Sequence, residues 1–272
     1  MRQEIENELY KNTKKHCAAL FWAWSFGKMY FRNKDEDYIE KQGTLTFIEY
    51  KDNCYAITNR HVIEPEEDDN WKELLKVKSL MVSLDKHMFF GIHPIFLSPR
   101  TSELTPLYPP HFPKDIAIFP FSTNRPKLEQ ANKAPVPLPD TLPKIQCDDL
   151  VLVVGFPGGE RKIISGKTYG HRLAHIIGTV VSITENSIQI FDQNPKRDKD
   201  ISIGGMSRGP IFKFDYNTGD YVFAGIIHQG DGNKRRNAMG QEEIRDNIWI
   251  FGYPLDGERL EEMLNSNYAL RY

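Results

Sequence analysis

One heptapeptide, Gly204-Gly205-Met206-Ser207-Arg208-Gly209-Pro210, restricts this chain more than any other stretch, because it sets a serine among glycines directly ahead of the apolar pair Ile211-Phe212. Glycines permit the tight turns that aim successive backbone N–H groups into one small space. A serine hydroxyl that attacks a carbonyl generates an oxyanion, and aligned donors of that kind hold it. The strand that follows is one of many. Short apolar runs bounded by turn residues recur over 18–25, 28–31, 43–50, 54–58, 80–84, 88–96, 149–156, 176–183, 187–191, 210–214, 221–227 and 247–251. Strands of that length separated by turn signals describe an all-β chain. Helical patterns are confined to the ends, over 2–14 and 256–265, apart from a helical turn at 71–76.

Two further segments extend the constellation. Ala56-Ile57-Thr58-Asn59-Arg60-His61-Val62-Ile63 brings a strand to its end on a histidine, and Lys114-Asp115-Ile116-Ala117-Ile118-Phe119 begins one on an aspartate. His61, Asp115 and Ser207 therefore follow one another along the chain, each beside a strand-like run. Together these segments resemble the chymotrypsin-like (trypsin-fold) serine peptidases of the bacterial trypsin-like type. The serine stretch is similar to their Gly-x-Ser-Gly-Gly-Pro, the histidine segment to Thr-x-x-His-Val, and the aspartate segment to Asp-Ile/Leu-Ala. Val154-Gly155-Phe156-Pro157-Gly158-Gly159 looks like the Gly-Tyr/Phe-Pro segment that opens the second barrel. The resemblance covers roughly residues 16 to 255. It implies two six-stranded antiparallel β-barrels with short terminal helices. An N-terminal helix (1–15) would pack on the first barrel or on a partner. The first barrel (16–123) would carry His61 and Asp115. A proline-rich linker (124–144), without periodicity, would lead to the second barrel (145–255) with Ser207 and a C-terminal helix (256–272).

Composition narrows the setting. The 272 residues are 26% charged and 40% hydrophobic, ordinary for a globular protein, with a formal net charge of −2. That balance offers no argument for nucleic acid or a membrane surface as partner. No apolar run approaches the ~20 residues that span a bilayer. The polar start Met1-Arg2-Gln3-Glu4-Ile5-Glu6 lacks the apolar core of a secretory signal. Cys17, Cys54 and Cys147 are too few and too scattered for a disulfide framework or a zinc site. A reducing, cytoplasmic setting is the expectation.

The resemblance implies a serine endopeptidase. His61 would take the Ser207 proton and pass it to the leaving amine, and Asp115 would fix the imidazole tautomer and stabilise its charged form. The N–H groups of Gly205 and Ser207 would form the oxyanion hole, and no metal or organic cofactor is required. Ile201, Gly225, Ile227, His228 and Gly230 are implied to border the substrate. Ile201 stands where trypsin-type enzymes place an aspartate, so cleavage after Lys or Arg is not implied. Ala224-Gly225-Ile226-Ile227-His228-Gln229-Gly230 resembles the strand along which substrate lies, and a small bulge there would carry His228 toward the pocket position of glutamate-specific relatives.

Two residues depart from the pattern. Met206 replaces the aspartate that pairs with a new N-terminus in zymogen-activated members, so any switch must be a partner or a loop rearrangement. Arg208 replaces a glycine. Either it sits strained at positive φ, or its side chain projects near the leaving group. Arg208 also supports the rival reading, an inactive or suspended trypsin-fold module that binds proteins through its surface. If the chain is an enzyme, its substrate is a protein or peptide, with a dedicated target and an activating or regulatory protein partner as the setting that suits a cytoplasmic protease. Other signals are weaker. His171 and His175 lack the glutamate of His-Glu-x-x-His and fall in strand-like sequence, so they read as surface residues. Gly166-Lys167-Thr168 lacks the leading glycine of a P-loop, and Lys234-Arg235-Arg236 reads as a solvated loop.

Overall fold

Register in the first half of the chain is set by a two-residue turn. Cys17–Trp24 (β1) and Gln42–Tyr50 (β2) lie antiparallel, and β2 folds back into Asn53–Asn59 (β3) through Lys51 and Asp52. Both turn residues are left-handed, at φ 48° and 64°, as a type I′ hairpin demands. The computed structural model describes residues 2–24, 42–63, 78–84, 89–91, 96–97, 115–157, 161–165, 168–171, 173–192, 206–231, 234–236, 242–244 and 248–266.

Lys78–Ser83 (β4), Phe89–Gly91 (β5), Phe96–Leu97 (β6) and Ile116–Pro120 (β7) complete an antiparallel front sheet in the order β5-β4-β1-β2-β3-β7-β6. Val136–Pro137 (β8) adds an eighth strand, parallel to β2. The front sheet is thus partly curled rather than a six-stranded ring among the described residues. The rear half does close. Leu150–Gly155 (β9), Ala174–Thr184 (β12), Ser187–Asp192 (β13), Pro210–Phe214 (β14), Tyr221–Asp231 (β15) and Ile248–Pro254 (β18) form a barrel in the order β12-β13-β18-β15-β14-β9. Arg161–Ser165 (β10) pairs with Thr168–His171 (β11), and Lys234–Arg236 (β16) with Glu242–Ile244 (β17). The basic triplet 234–236 is therefore a hairpin strand, not a loop, and its register sets Arg235 opposite Glu243 and Arg236 opposite Glu242. The fold is all-β and chymotrypsin-like, with helices at its margins.

Strand alternation builds three cores. Ala18, Leu20, Leu45, Phe47, Ala117 and Phe119 point into the front half. Val151, Val153, Ile188, Ile190, Ile211 and Ala224 fill the rear barrel. The opposite faces of the same strands, with Ala19, Ile48, Ile57, Ile118, Leu152, Val154, Phe212 and Phe223, meet as one joint core. Strands such as β1 and β9 are buried on both faces, which is why their sequences read as continuous apolar runs.

Two segments are tied into the fold by contacts that their sequences do not specify. The N-terminal helix Arg2–Thr13 lies against the rear half. Leu9 enters the joint core, the Tyr10 ring tilts on His175 at 4.5 Å, and the Tyr216 hydroxyl donates to Glu6 Oε1 at 2.7 Å. The linker is built in as well. It forms the helix Arg125–Gln130, and Arg125 forks onto both carboxylate oxygens of Glu49 at 2.8 and 3.3 Å. Then β8 joins β2, and the Leu138 N–H donates to the Glu49 carbonyl at 2.8 Å. His16 connects linker and rear barrel. Its Nδ1 lies 2.7 Å from the Ala134 carbonyl and its Nε2 3.2 Å from the Tyr221 hydroxyl. A carbonyl only accepts, so the neutral ring carries its proton on Nδ1, and Tyr221 donates to Nε2. Burial holds this imidazole down at about 4. The closing helix Gly257–Asn265 is capped by Asp256, whose carboxylate accepts from the Arg259 N–H at 3.0 Å.

Candidate active site

The front half presents its part of the site where β3 ends beside the start of β7. These strands pair so that Asn59 lies opposite Ile116, which puts Asp115 next to the chain leaving β3. The buried Asn59 side chain donates through Nδ2 to Asp115 Oδ2 at 3.0 Å. The Arg60 N–H donates to the Asp115 carbonyl at 3.1 Å. Asp115 itself is left-handed, at φ 64°, a conformation that aspartate tolerates better than most residues. His61 is the second residue of the helical turn Arg60–Ile63, one step past the strand end rather than on it. That turn is fixed by Val62 and Ile63, both sunk into the front core. A Cβ on Gly43 would lie 2.8 Å from Val62 Cγ2, so the turn rests directly on the glycine that starts the β2 core face.

In the rear half, Met206-Ser207-Arg208-Gly209 is a β-turn closed by the Gly209 N–H to the Met206 carbonyl at 2.8 Å. Met206 is buried in the rear core, so a chain with no ion pair to make at this position uses it as an apolar anchor. Arg208, third in the turn, has φ 64°, the left-handed value that type II turns require and normally meet with glycine. Gly209 is obligatory for another reason: a Cβ there would come within 1.9 Å of the Val154 carbonyl oxygen. The turn is tied to β15 by Arg208 N–H to the Ile227 carbonyl at 2.7 Å and Ile227 N–H to the Gly209 carbonyl at 2.9 Å. Ser207 is half-buried between these ties.

The strand expected to border substrate divides by role. Both Ile227 backbone groups serve the serine turn, and its side chain is in the rear core. Gly225 lets β15 pass close to β18, since a Cβ would sit 2.2 Å from the Tyr253 carbonyl oxygen. The pairing of β15 with β18 slips between Ile227 and Gln229, so His228 occupies a β-bulge and its side chain is exposed. Gly230 continues the strand beyond it. Gly205 and Ile201 lie outside the described residues, as does the stretch between them.

Arg208 resolves the two options its position left open. The backbone takes the left-handed conformation, and the side chain turns inward rather than toward a leaving group. It is fully buried, and its Nη2 donates to the Asp115 carbonyl at 2.7 Å. Burial lowers its pKa to about 10, opposed by the Asp115 carboxyl and, more weakly, by Tyr253, so the guanidinium keeps its charge at neutral pH.

A seam of threonines, not singled out from the sequence, joins the halves beneath this point. Thr46 Oγ1 donates to the Arg208 carbonyl at 2.5 Å, the Phe156 N–H donates to Thr44 Oγ1 at 2.9 Å, and Thr58 Oγ1 donates to the Thr44 carbonyl at 2.9 Å. All three threonines are fully buried. The signal was available: Thr44 and Thr46 alternate with Leu45 and Phe47, the pattern of a strand with one apolar and one hydrogen-bonding face. Among the described residues, no three His, Cys, Asp or Glu side chains converge as a metal site.

No protein-family model and no curated protein matches the chain. Solved structures do match. The crystal structure of Deg5 aligns at 16% identity over 84% of this chain and 85% of that one, with a TM-score of 0.46. A thermostable serine protease, AL20, from an extremophilic microorganism aligns at 12% identity over 94% of this chain and 98% of that one, with a TM-score of 0.51. At that identity the likeness speaks for the fold, and it spans nearly the whole of both chains: this protein has the fold of the trypsin-like serine peptidases.

Proposed function

We propose that the protein is a serine endopeptidase in which Ser207 attacks a peptide carbonyl, His61 is its general base and then general acid, and Asp115 orients His61. The N–H groups of Gly205 and Ser207 would hold the oxyanion, each donor contributing about 2.7–4 kcal/mol to the transition state. The observation that supports this best is convergence on one residue. The amide that precedes His61 and the side chain that follows Ser207 both donate to the Asp115 carbonyl, at 3.1 and 2.7 Å. Segments distant in sequence are thereby held within a few bonds of one carboxylate, as triad chemistry needs. The bulged His228, one residue beyond the Ile227 groups that hold the serine turn, supports a substrate-bordering role for β15.

The substrate in this reading is a protein or peptide, with a dedicated cellular target as the preferred case. Incubation with casein and with candidate target proteins, followed by mapping of new termini, is the test. Wild type should create termini that Ser207→Ala does not, the variant losing about a millionfold in kcat while staying folded. A folded wild type that cuts nothing, and that a fluorophosphonate leaves unmodified, would overturn the proposal in favour of a binding module.

A further inference from the structure

We infer that Arg208 is a positioning residue, a buried clamp that fastens the Ser207 turn of the rear barrel to the Asp115 end of β7 in the front half. The clamp follows from geometry; its catalytic consequence rests on the reading of Ser207 as nucleophile. Two unfavourable features coincide at this residue: a left-handed backbone in a residue with a Cβ, and a fully buried cation. Glycine would avoid both. Such a residue persists only where its surroundings over-determine it, and here they do. Its N–H is held by Ile227 of β15 at 2.7 Å, its carbonyl by Thr46 of β2 at 2.5 Å, and its guanidinium reaches the Asp115 carbonyl at 2.7 Å. Backbone and side chain are thus tied to three separate strands or strand ends.

The residue it reaches shares this backbone conformation, since Asp115 is also left-handed. Both ends of the clamp are therefore fixed in conformations that a loose chain would leave. The carboxyl of Asp115 faces the guanidinium electrostatically and helps keep it charged. Any shift of the rear barrel against the front half would stretch the 2.7 Å contact. Holding that contact holds the serine turn in register with the acid.

Wild type, Arg208→Gly and Arg208→Met decide the matter. Glycine removes the strain together with the clamp, and methionine fills the same space without a donor. Three experiments are run on protein shown to melt cooperatively: the rate of fluorophosphonate reaction at Ser207, the kinetics (kcat and KM) with p-nitrophenyl acetate, and amide exchange over residues 206–209. Both variants should react at least tenfold more slowly, lose kcat with KM little changed, and exchange faster in the turn. Millimolar methylguanidinium should restore part of the rate in Arg208→Gly and none in wild type. If Arg208 merely fills space, Arg208→Met will react at the wild-type rate with unchanged exchange, and the clamp is overturned. Should Arg208→Gly fail to fold, Arg208→Met decides alone. A folded wild type that does not react at Ser207 defeats the peptidase reading instead; exchange then judges the clamp, upheld if the turn loosens in Arg208→Met and overturned if it does not.

Discussion

The rear barrel and the front sheet solve the same problem differently. In the rear half each of six strands has a partner on both sides, and the ring closes through β9 and β12. In the front half the described pairing runs from β5 to β6 without joining, and the sheet gains its eighth strand from the linker. The rear barrel needs nothing else to bury its edges. The front sheet is completed by segments outside it: β8, the Arg125–Glu49 fork, and Lys133 Nζ on the Cys17 carbonyl at 2.7 Å. Most of all it leans on the rear half, through the joint core and the threonine seam. The half that carries His61 and Asp115 is thus the half that depends on its neighbour, so the site proposed above would be assembled only when both have folded.

The largest effect that would sharpen this contrast is chemical. Asp115→Asn keeps shape and a left-handed backbone, since asparagine tolerates positive φ. It should lower kcat about 10⁴-fold in protein that still melts cooperatively, at a lowered melting temperature because the buried Arg208 guanidinium loses the carboxylate charge beside it. Activity within tenfold of wild type would mean the front half contributes no acid.

Next come the cores. Phe47→Ala empties the front core and Phe212→Ala the joint core, and each should cost about 3–5 kcal/mol in urea unfolding. Because the halves share a core, both variants should unfold in a single transition. A front half that melts separately in Phe47→Ala would break the dependence argued above.

Acid comes third. The His16 imidazole ties linker to rear barrel and is held at about 4, against about 6.5 when unfolded. As pH falls, the unfolded chain takes up this proton first. This contribution is therefore constant above about 6.5, declines between 6.5 and 4, and stops changing below 4. The full decline is about 3 kcal/mol at roughly 1.4 per pH unit. His16→Gln should flatten the pH dependence of unfolding in that window; an unaltered slope would place the acid sensitivity elsewhere.

Smallest is the exposed Lys51–Glu261 ion pair between the front hairpin and the closing helix. Lys51→Ala should leave the melting temperature unchanged at physiological salt. A measurable drop would show the hairpin tip to be a real strut between the halves.

Much of this was legible in the sequence, and the remainder has physical reasons. The strands at 43–50, 54–58, 149–156, 210–214 and 221–227 are found where apolar runs and turn residues put them, because local alternation and turn chemistry act over a few residues. The closing helix was equally legible, expected over 256–265 and found over Gly257–Asn265. The strand within the linker went unread because Val136 pairs with Ile48, a parallel contact that no local pattern announces. The contacts of the N-terminal helix were not legible because its few apolar residues do not say which half they meet. Arg208 was visible as an anomaly, but whether its side chain projected near a leaving group or turned inward to Asp115 depended on the distance between two halves, which sequence does not carry.

The most direct test is to locate the adduct that a fluorophosphonate leaves on the native protein, by mass spectrometry of the peptide containing residue 207, in wild type and in His61→Ala. The expected result is a single adduct on Ser207 in wild type, formed at least a thousandfold more slowly when the front-half histidine is removed. An adduct elsewhere, none at all on folded protein, or equal labelling in both would contradict a shared site.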